Sequence, residues 1–261
     1  MSRSRVIEAG NVGVQVRVKK NLHPAMVIDW LHAGVEDTHL GGWASLFYGL
    51  AFTITGILIH AFFAENYWLL AGLTTGFFLI GPFLATGLYD ISRRIALGQT
   101  PSLLPSLTAW RPNLVNIALF AVILLAALVA WTQLSFIIFA YYFNHQLPTF
   151  IDIVFNVLSF KQPIFTLVYF SVGGIFAALT FAISVIAIPL MLDSNTSAGA
   201  AAWASFRVCL RNPGVMSLWA LCIVVLIGVG FATSFLGLIV TMPVAGHASW
   251  HVYRDVIEIQ P

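Results

Sequence analysis

Between Arg211 and Arg254 the chain runs for 42 residues without a formal charge, and between Arg111 and Asp152 for another 40. About 20 mostly apolar residues, rising about 1.5 Å each, suffice for a helix to cross a hydrocarbon core of about 30 Å. Each gap is therefore long enough for two crossings. Charge is rationed elsewhere too. Of the 22 charged residues in 261, nine fall within the first 42, which leaves 13 for the remaining 219. That density is far below the roughly 25% of a soluble domain. An ordinary soluble enzyme is excluded, and a polytopic helical membrane protein is expected.

Apolar runs and their polar breaks give six candidate spans: Trp43 to Phe63, Tyr67 to Tyr89, Asn113 to Ala140, Ile164 to Leu192, Val215 to Ala232, and Phe235 to Tyr253. Trp43, Tyr67, Trp68, Tyr89, Trp110, Tyr141, Tyr142, Trp250 and Tyr253 gather at their ends, where amphipathic rings favour the headgroup layer. The expected fold is all-α, a transmembrane bundle of six helices in three hairpins with amphipathic interfacial helices. Residues 1–42 form a cytoplasmic tail with one such helix, 43–254 the membrane domain, and 255–261 a short cytoplasmic tail.

Orientation follows from the retention of Lys and Arg on the cytoplasmic side. With the N-terminus inside, Arg3, Arg5, Arg17, Lys19, Lys20, Arg93, Arg94, Arg111, Arg207, Arg211 and Arg254 all fall inside, against Lys161 alone outside. Both termini are expected in the cytoplasm of a bacterial inner-membrane protein. The first 20 residues carry Arg3, Arg5, Glu8, Arg17, Lys19 and Lys20 and no apolar run, so no cleavable signal peptide is expected. The net charge of +2 is too small to imply a nucleic-acid partner. Cys209 and Cys222 make no disulfide framework or metal-spaced pair.

The cytoplasmic connections read as surface helices followed by abrupt entry into the bilayer. Trp110-Arg111-Pro112-Asn113 precedes the third span and Arg211-Asn212-Pro213 the fifth, and proline at a first helical turn is pre-set for a helix start. Pro24 to Leu40 places Met26, Trp30, Leu31 and Val35 at helical spacing, the pattern of an amphipathic helix lying on a membrane. In the even spans Pro82, Pro189 and Pro243 are followed by Asp90, Asp193 and Asp255. Three buried prolines, each freeing a carbonyl and kinking its helix, point to a three-hairpin repeat. Tyr141 to Pro163 has the apolar face of an interfacial or re-entrant helix.

Candidate chemistry is sparse. His247 and His251, four residues apart, face one side of the last span, the spacing for sharing a metal or flanking a haem. No Glu or Cys completes a ligand set, so hydrogen bonding to neighbouring helices or headgroups is the simpler reading, with a proton-linked role as a third. His60 and His145 pair only if the bundle joins them. Asp90, Asp193 and Asp255 are candidate functional positions as a carboxylate ring at a cytoplasmic vestibule. Their structural alternative is neutralisation by Arg93, Arg94 or Arg254 and, for Asp90 and Asp193, capping of the following surface helix. Gly72 to Gly76 and Gly173-Gly174 allow close helix approach, within the monomer or in a homo-oligomer. The sequence carries no phosphate loop, nucleophile elbow, H-E-x-x-H or dinucleotide fingerprint.

A resemblance adds to this reading. Trp30-Leu31-His32-Ala33-Gly34 with Asp37, Ser45-Leu46-Phe47-Tyr48-Gly49-Leu50, Gly81-Pro82 with Gly87-Leu88-Tyr89, Phe181-Ala182-Ile183-Ser184 with Pro189, Asp193 and Arg211-Asn212-Pro213, and Gly246-His247-Ala248-Ser249-Trp250-His251-Val252-Tyr253-Arg254 resemble a bacterial integral membrane family of unknown function. Some of its members carry a cytochrome c oxidase subunit I label. The likeness covers about residues 25 to 257, and implies a six-helix inner-membrane protein without established activity. A haem-copper catalytic subunit has about twice as many spans and more histidines, so the resemblance implies at most an accessory place beside a respiratory complex. The leading expectation is a non-catalytic accessory, scaffold or assembly subunit in the lipid bilayer. The alternative is a transporter or channel for a small solute or lipid, argued from the kinked helices and the stripe Thr53, Thr55, Thr74, Thr75, Ser171, Thr180 and Ser184.

Overall fold

The computed structural model describes residues 7–8, 15–62, 84–142 and 162–260. Its helices are α1 (Met26–Gly41), α2 (Trp43–Phe62), α3 (helical residues 84–96), α4 (Leu103–Ser106), α5 (Leu114–Tyr142), α6 (Pro163–Ser184), α7 (Ala187–Ser194), α8 (Ala198–Arg211), α9 (Pro213–Ala232) and α10 (Leu238–Val256). Three short strands, β1 (Ile7–Glu8), β2 (Gln15–Val18) and β3 (Ile257–Gln260), form one antiparallel sheet in that order.

Helix boundaries follow from local chemistry. Gly42 has φ +50° and donates its N–H to the carbonyls of Thr38 and His39, a left-handed stop that a residue with a Cβ rarely adopts. The chain turns through 105° there between α1 and α2. A 3-10 turn, Arg111–Asn113, with Pro112 in its first positions, leads into α5, and Pro213 opens α9. Pro189 has no N–H to give the Val185 carbonyl, and the chain breaks between α6 and α7 at that point. Ser205 of α8 repairs the break, its hydroxyl donating to Ala182 O at 2.7 Å and accepting from Ile186 N at 3.3 Å.

The six spans in three hairpins are not what these residues form. Among the described residues, three helices are long and apolar enough to cross a membrane: Leu103–Tyr142, Pro163–Ser194 and Pro213–Ala232. A fourth exists if the bent pair Met26–Gly41 and Trp43–Ile59 counts as one. The sixth expected span is not among them because α10 carries Pro243, His247, Ser249, His251, Arg254 and Asp255, and more than half of its residues are buried. Most of the second expected span, Pro82 included, lies outside the described residues, as do His145, Gly72 to Gly76 and most of Tyr141 to Pro163. The three-hairpin repeat falls with the spans: Pro189 does lie within Pro163–Ser194, but Pro243 lies in α10, which is not among the spanning helices.

The chain divides into two compact units, one of Met1–Ala121 with Ala182–Pro261, the other of Val122–Phe181. In the first, α10 packs chiefly against α1 and α2, then α9. Glycines permit the approach: a Cβ on Gly34 of α1 would meet Val244 O at 2.6 Å and Ala248 Cβ at 2.8 Å. Trp30, expected on a membrane-facing side, is instead buried, edge-on to Trp219 of α9 with ring centres 6.1 Å apart. In the second unit Trp131 of α5 packs on Tyr169 and Phe176 of α6, over Gly173. A small cluster of Ile138 and Phe165 closes it.

The sheet is an element that the all-helical expectation lacked. Gln15-Val16-Arg17-Val18 and Ile257-Glu258-Ile259-Gln260 alternate polar and apolar residues, a period of two that suits a half-buried strand. Val18 pairs with Ile257 and Gln15 with Gln260, so the two ends of the chain are joined.

Two glycine substitutions test this packing. Gly34→Ala forces the α1–α10 contact apart and is expected to cost about 1–3 kcal/mol. A Cβ on Gly199 of α8 meets nothing within 4 Å, so Gly199→Ala is expected to stabilise by up to about 1 kcal/mol through helix propensity alone. Thermal unfolding in detergent should move in opposite directions for the two variants.

Candidate functional site

The buried face of α1 is set by Trp30, Gly34, Asp37 and Gly41, at helical spacing. That face meets α10, and it delivers one carboxylate into the centre of the first unit. Asp37 is 5% exposed, His247 and Ser45 0% and Ser92 1%. Ser92 of α3 donates to Asp37 Oδ2 at 2.6 Å. The same Oδ2 lies 2.8 Å from His251 Nε2. Ser92 Oγ is also 2.7 Å from His247 Nδ1, and His247 Nε2 is 2.8 Å from Ser45 Oγ at the start of α2. One chain of hydrogen bonds thus links α1, α2, α3 and α10.

Its polarity follows from counting hydrogens. A serine hydroxyl has one proton and two lone pairs, and that of Ser92 is given to Asp37. His247 Nδ1 must then be the donor to Ser92 Oγ, which leaves Nε2 as the acceptor for the Ser45 hydroxyl. His247 is held as the neutral Nδ1–H tautomer. Burial favours the same state: it pushes His247 down from 6.5 to about 4, outweighing the opposing pull of Asp37 and of a hydrogen bond to the Leu88 backbone, with His251 adding to the depression.

The arrangement holds structure more readily than it performs chemistry. Ser45 and His247 stand at nucleophile-to-base distance, and the base has an orienting group. Both are fully buried, however, and a Cβ on Gly41 would already collide with Ser45 Oγ. Reactants do not reach them in this geometry. Each ring nitrogen of His247 has a partner, and His251 Nε2 faces Asp37. Among the described residues no group of three or more His, Cys, Asp or Glu is placed to hold a metal ion.

The three aspartates singled out by sequence do not form a ring. Asp90 binds its own helix's Arg94, Nε to Oδ2 2.6 Å. Asp193 lies 3.5 Å from Arg93 Nε and 3.6 Å from Arg254 Nη1, and accepts the Tyr253 hydroxyl at 2.9 Å. Burial and then Asp193 raise the Tyr253 hydroxyl far above the ordinary phenol range. Asp255 accepts the indole N–H of Trp30 at 2.7 Å. Pro189 and Pro243 are buried in α7 and α10. His247 and His251 do meet, through Asp37 and Ser92. Those two residues and Ser45 were missed as members of the site. The signal for Asp37 was available in the small-residue and aromatic spacing Trp30, Gly34, Asp37, Gly41, whereas Ser45 and Ser92 carried none.

The asparagines of the two proline turns form a second structural set. Asn113 Nδ2 donates to Met191 O and Thr196 O, both at 2.9 Å. Asn212 Nδ2 donates to Lys19 O at 3.1 Å, and its Oδ1 accepts from Leu22 N at 3.3 Å.

Over residues 69–193, somewhat less than half of the chain, the sequence matches a family described as a predicted integral membrane protein, DUF2189. No curated protein and no solved structure matches it. The match and the apolar helices agree on a multi-pass integral membrane protein of unknown activity.

The depressed His247 predicts the acid response. In the unfolded chain the imidazole takes up a proton near 6.5, in the folded one only near 4. Its contribution is therefore complete above about pH 6.5 and is lost as pH falls towards 4, on the order of 3 kcal/mol. Melting temperature in detergent should fall over that window for the wild-type chain, and the fall should shrink in His247→Asn measured against its own neutral-pH value. Ser45→Ala removes the donor to Nε2 and should lower stability by about 1–3 kcal/mol at neutral pH.

Proposed function

We propose that this protein acts by binding rather than by catalysis or transport, as an accessory, scaffold or assembly subunit within a larger membrane complex. The observation that carries the reading is how the polar side chains of the helices are used. Thr55, Thr132 and Ser249 donate to carbonyls one turn back on their own helices, Thr53 donates across to Phe235 O, and the Asp37 network closes on itself. A solute path needs unclaimed polar groups lining it, and the hydroxyls just named are spent within the chain, leaving Thr166 and Thr241 as the described buried hydroxyls without a partner.

The paired strands support a shared side for both ends. Residues Gln15–Val18 and Ile257–Gln260 hydrogen-bond in one sheet, which two segments on opposite faces of a bilayer cannot do. With the Lys and Arg distribution, this favours both termini in the cytoplasm of a bacterial inner membrane.

Gentle extraction from native membranes, crosslinking and mass spectrometry should recover at least one membrane protein in stoichiometric amount. Recovery of a homogeneous, partnerless protein would overturn the reading in favour of transport. Impermeant labelling of single cysteines placed at Gly98 and at Gly199 should require broken cells for both.

A further inference from the structure

The helix α8 spans one end of the first unit. At its start, Ala198 N donates to Asn116 Oδ1 of α5 at 3.2 Å. It finishes at Asn212, immediately before α9. With 14 residues it is about 21 Å long, and it bridges the starts of two apolar helices that qualify as membrane spans. A helix tied at both ends to points where spans begin lies along the bilayer surface.

Its two faces differ. Ala198, Ala201, Ala204, Ser205 and Val208 are buried against the protein. On the outer side Trp203 and Leu210 are 53% and 63% exposed, and Trp203 stacks on Phe206. Arg207 stands one turn from Trp203, and Arg211 ends the helix.

Tertiary structure brings in charge that is remote in sequence. Arg211 Nη1 donates to Val18 O at 3.0 Å, and Asn212 holds Lys19 O. Exposed Lys19 is thereby fixed beside the end of α8 by its backbone, and exposed Lys20 follows it in the chain, with both ammonium groups left to solvent or ligand. The nearby acids are committed elsewhere: Asp193 to Arg93 and Arg254, Asp255 to Trp30, Glu258 opposite Arg17.

We propose that this surface binds anionic phospholipid headgroups. Lys19, Lys20 and Arg211 meet the phosphates, and Trp203, Phe206 and Leu210 enter the headgroup and upper acyl layer. Basic residues beside a span, together with an aromatic and aliphatic helix face, are the combination by which proteins hold anionic lipid. This inference does not depend on the binding role proposed above.

The test is native mass spectrometry of the full chain in detergent, titrated with phosphatidylglycerol or phosphatidylcholine. Phosphatidylglycerol should be retained at least about ten-fold more tightly. Lys19→Gln with Lys20→Gln should weaken it by about 30-fold, equivalent to about 1 kcal/mol per lysine. The hydrogen bonds at this site use the backbone of Val18 and Lys19 and both lysine side chains are exposed, so the double variant keeps its fold. Leu210→Gln should weaken both lipids without changing their ratio. Equal retention of the two lipids, or an undiminished preference in the double variant, would overturn the proposal. Displacement of the lipid by an equal concentration of inorganic phosphate would overturn it as well, assigning the cluster to a free anion.

Discussion

A buried hydrogen-bonding group must find a partner or cost one to several kcal/mol, and α10 buries His247 and Ser249, with half-buried His251 beside them, in the first unit. The fold is arranged around that demand. His247 cannot be buried without Ser45 and Ser92, Ser92 cannot serve it without Asp37, and Asp37 reaches the centre only because Gly34 and Ala248 let α1 press against α10. The network therefore sets the order of packing among α1, α2, α3 and α10. Apolar surface, abundant everywhere in this chain, has no such power to discriminate one helix arrangement from another in a bilayer.

The same logic governs the end of the unit that carries the proline turns. Proline starts α5 and α9 cleanly but leaves the preceding turns with unpaired carbonyls. The asparagine beside each proline ties backbone from other elements to the turn: Asn113 holds Met191 O of α7 and Thr196 O after it, and Asn212 holds Lys19 O after β2. Ser205 plays the corresponding part at the break before Pro189. Short polar side chains thus act as joints, and the helices between them remain apolar enough for lipid. One product of these joints is a basic and aromatic surface drawn from residues 19, 20, 203 and 211, which no single stretch of sequence contains.

Membrane residence was legible because uncharged length is a one-dimensional property. The starts of α5 and α9 were legible too, since Pro112 and Pro213 act locally. Counting spans failed where the sequence pattern carried two meanings. Phe235 to Tyr253 is apolar enough on average to look like a span, yet its His, Ser, Pro and terminal charges make it a helix enclosed by other helices. The strands escaped notice because each is only two to four residues long, and β2 and β3 gain meaning from each other across about 240 residues. His247 and His251 drew attention by their spacing, but what they do is decided by Asp37 and Ser92, which lie on other helices.

By itself, the sequence determined that this chain lives in a membrane, where several of its helices begin and which histidines share a face, because charge spacing, proline and helical period all act within a few residues. Tertiary structure alone decided that α10 is a buried polar helix, that His247 is neutral with both nitrogens occupied, and that Lys19 and Lys20 stand beside Arg211. Those facts rest on hydrogen bonds between residues 155 or more positions apart, and such distances are closed by packing, not by local pattern.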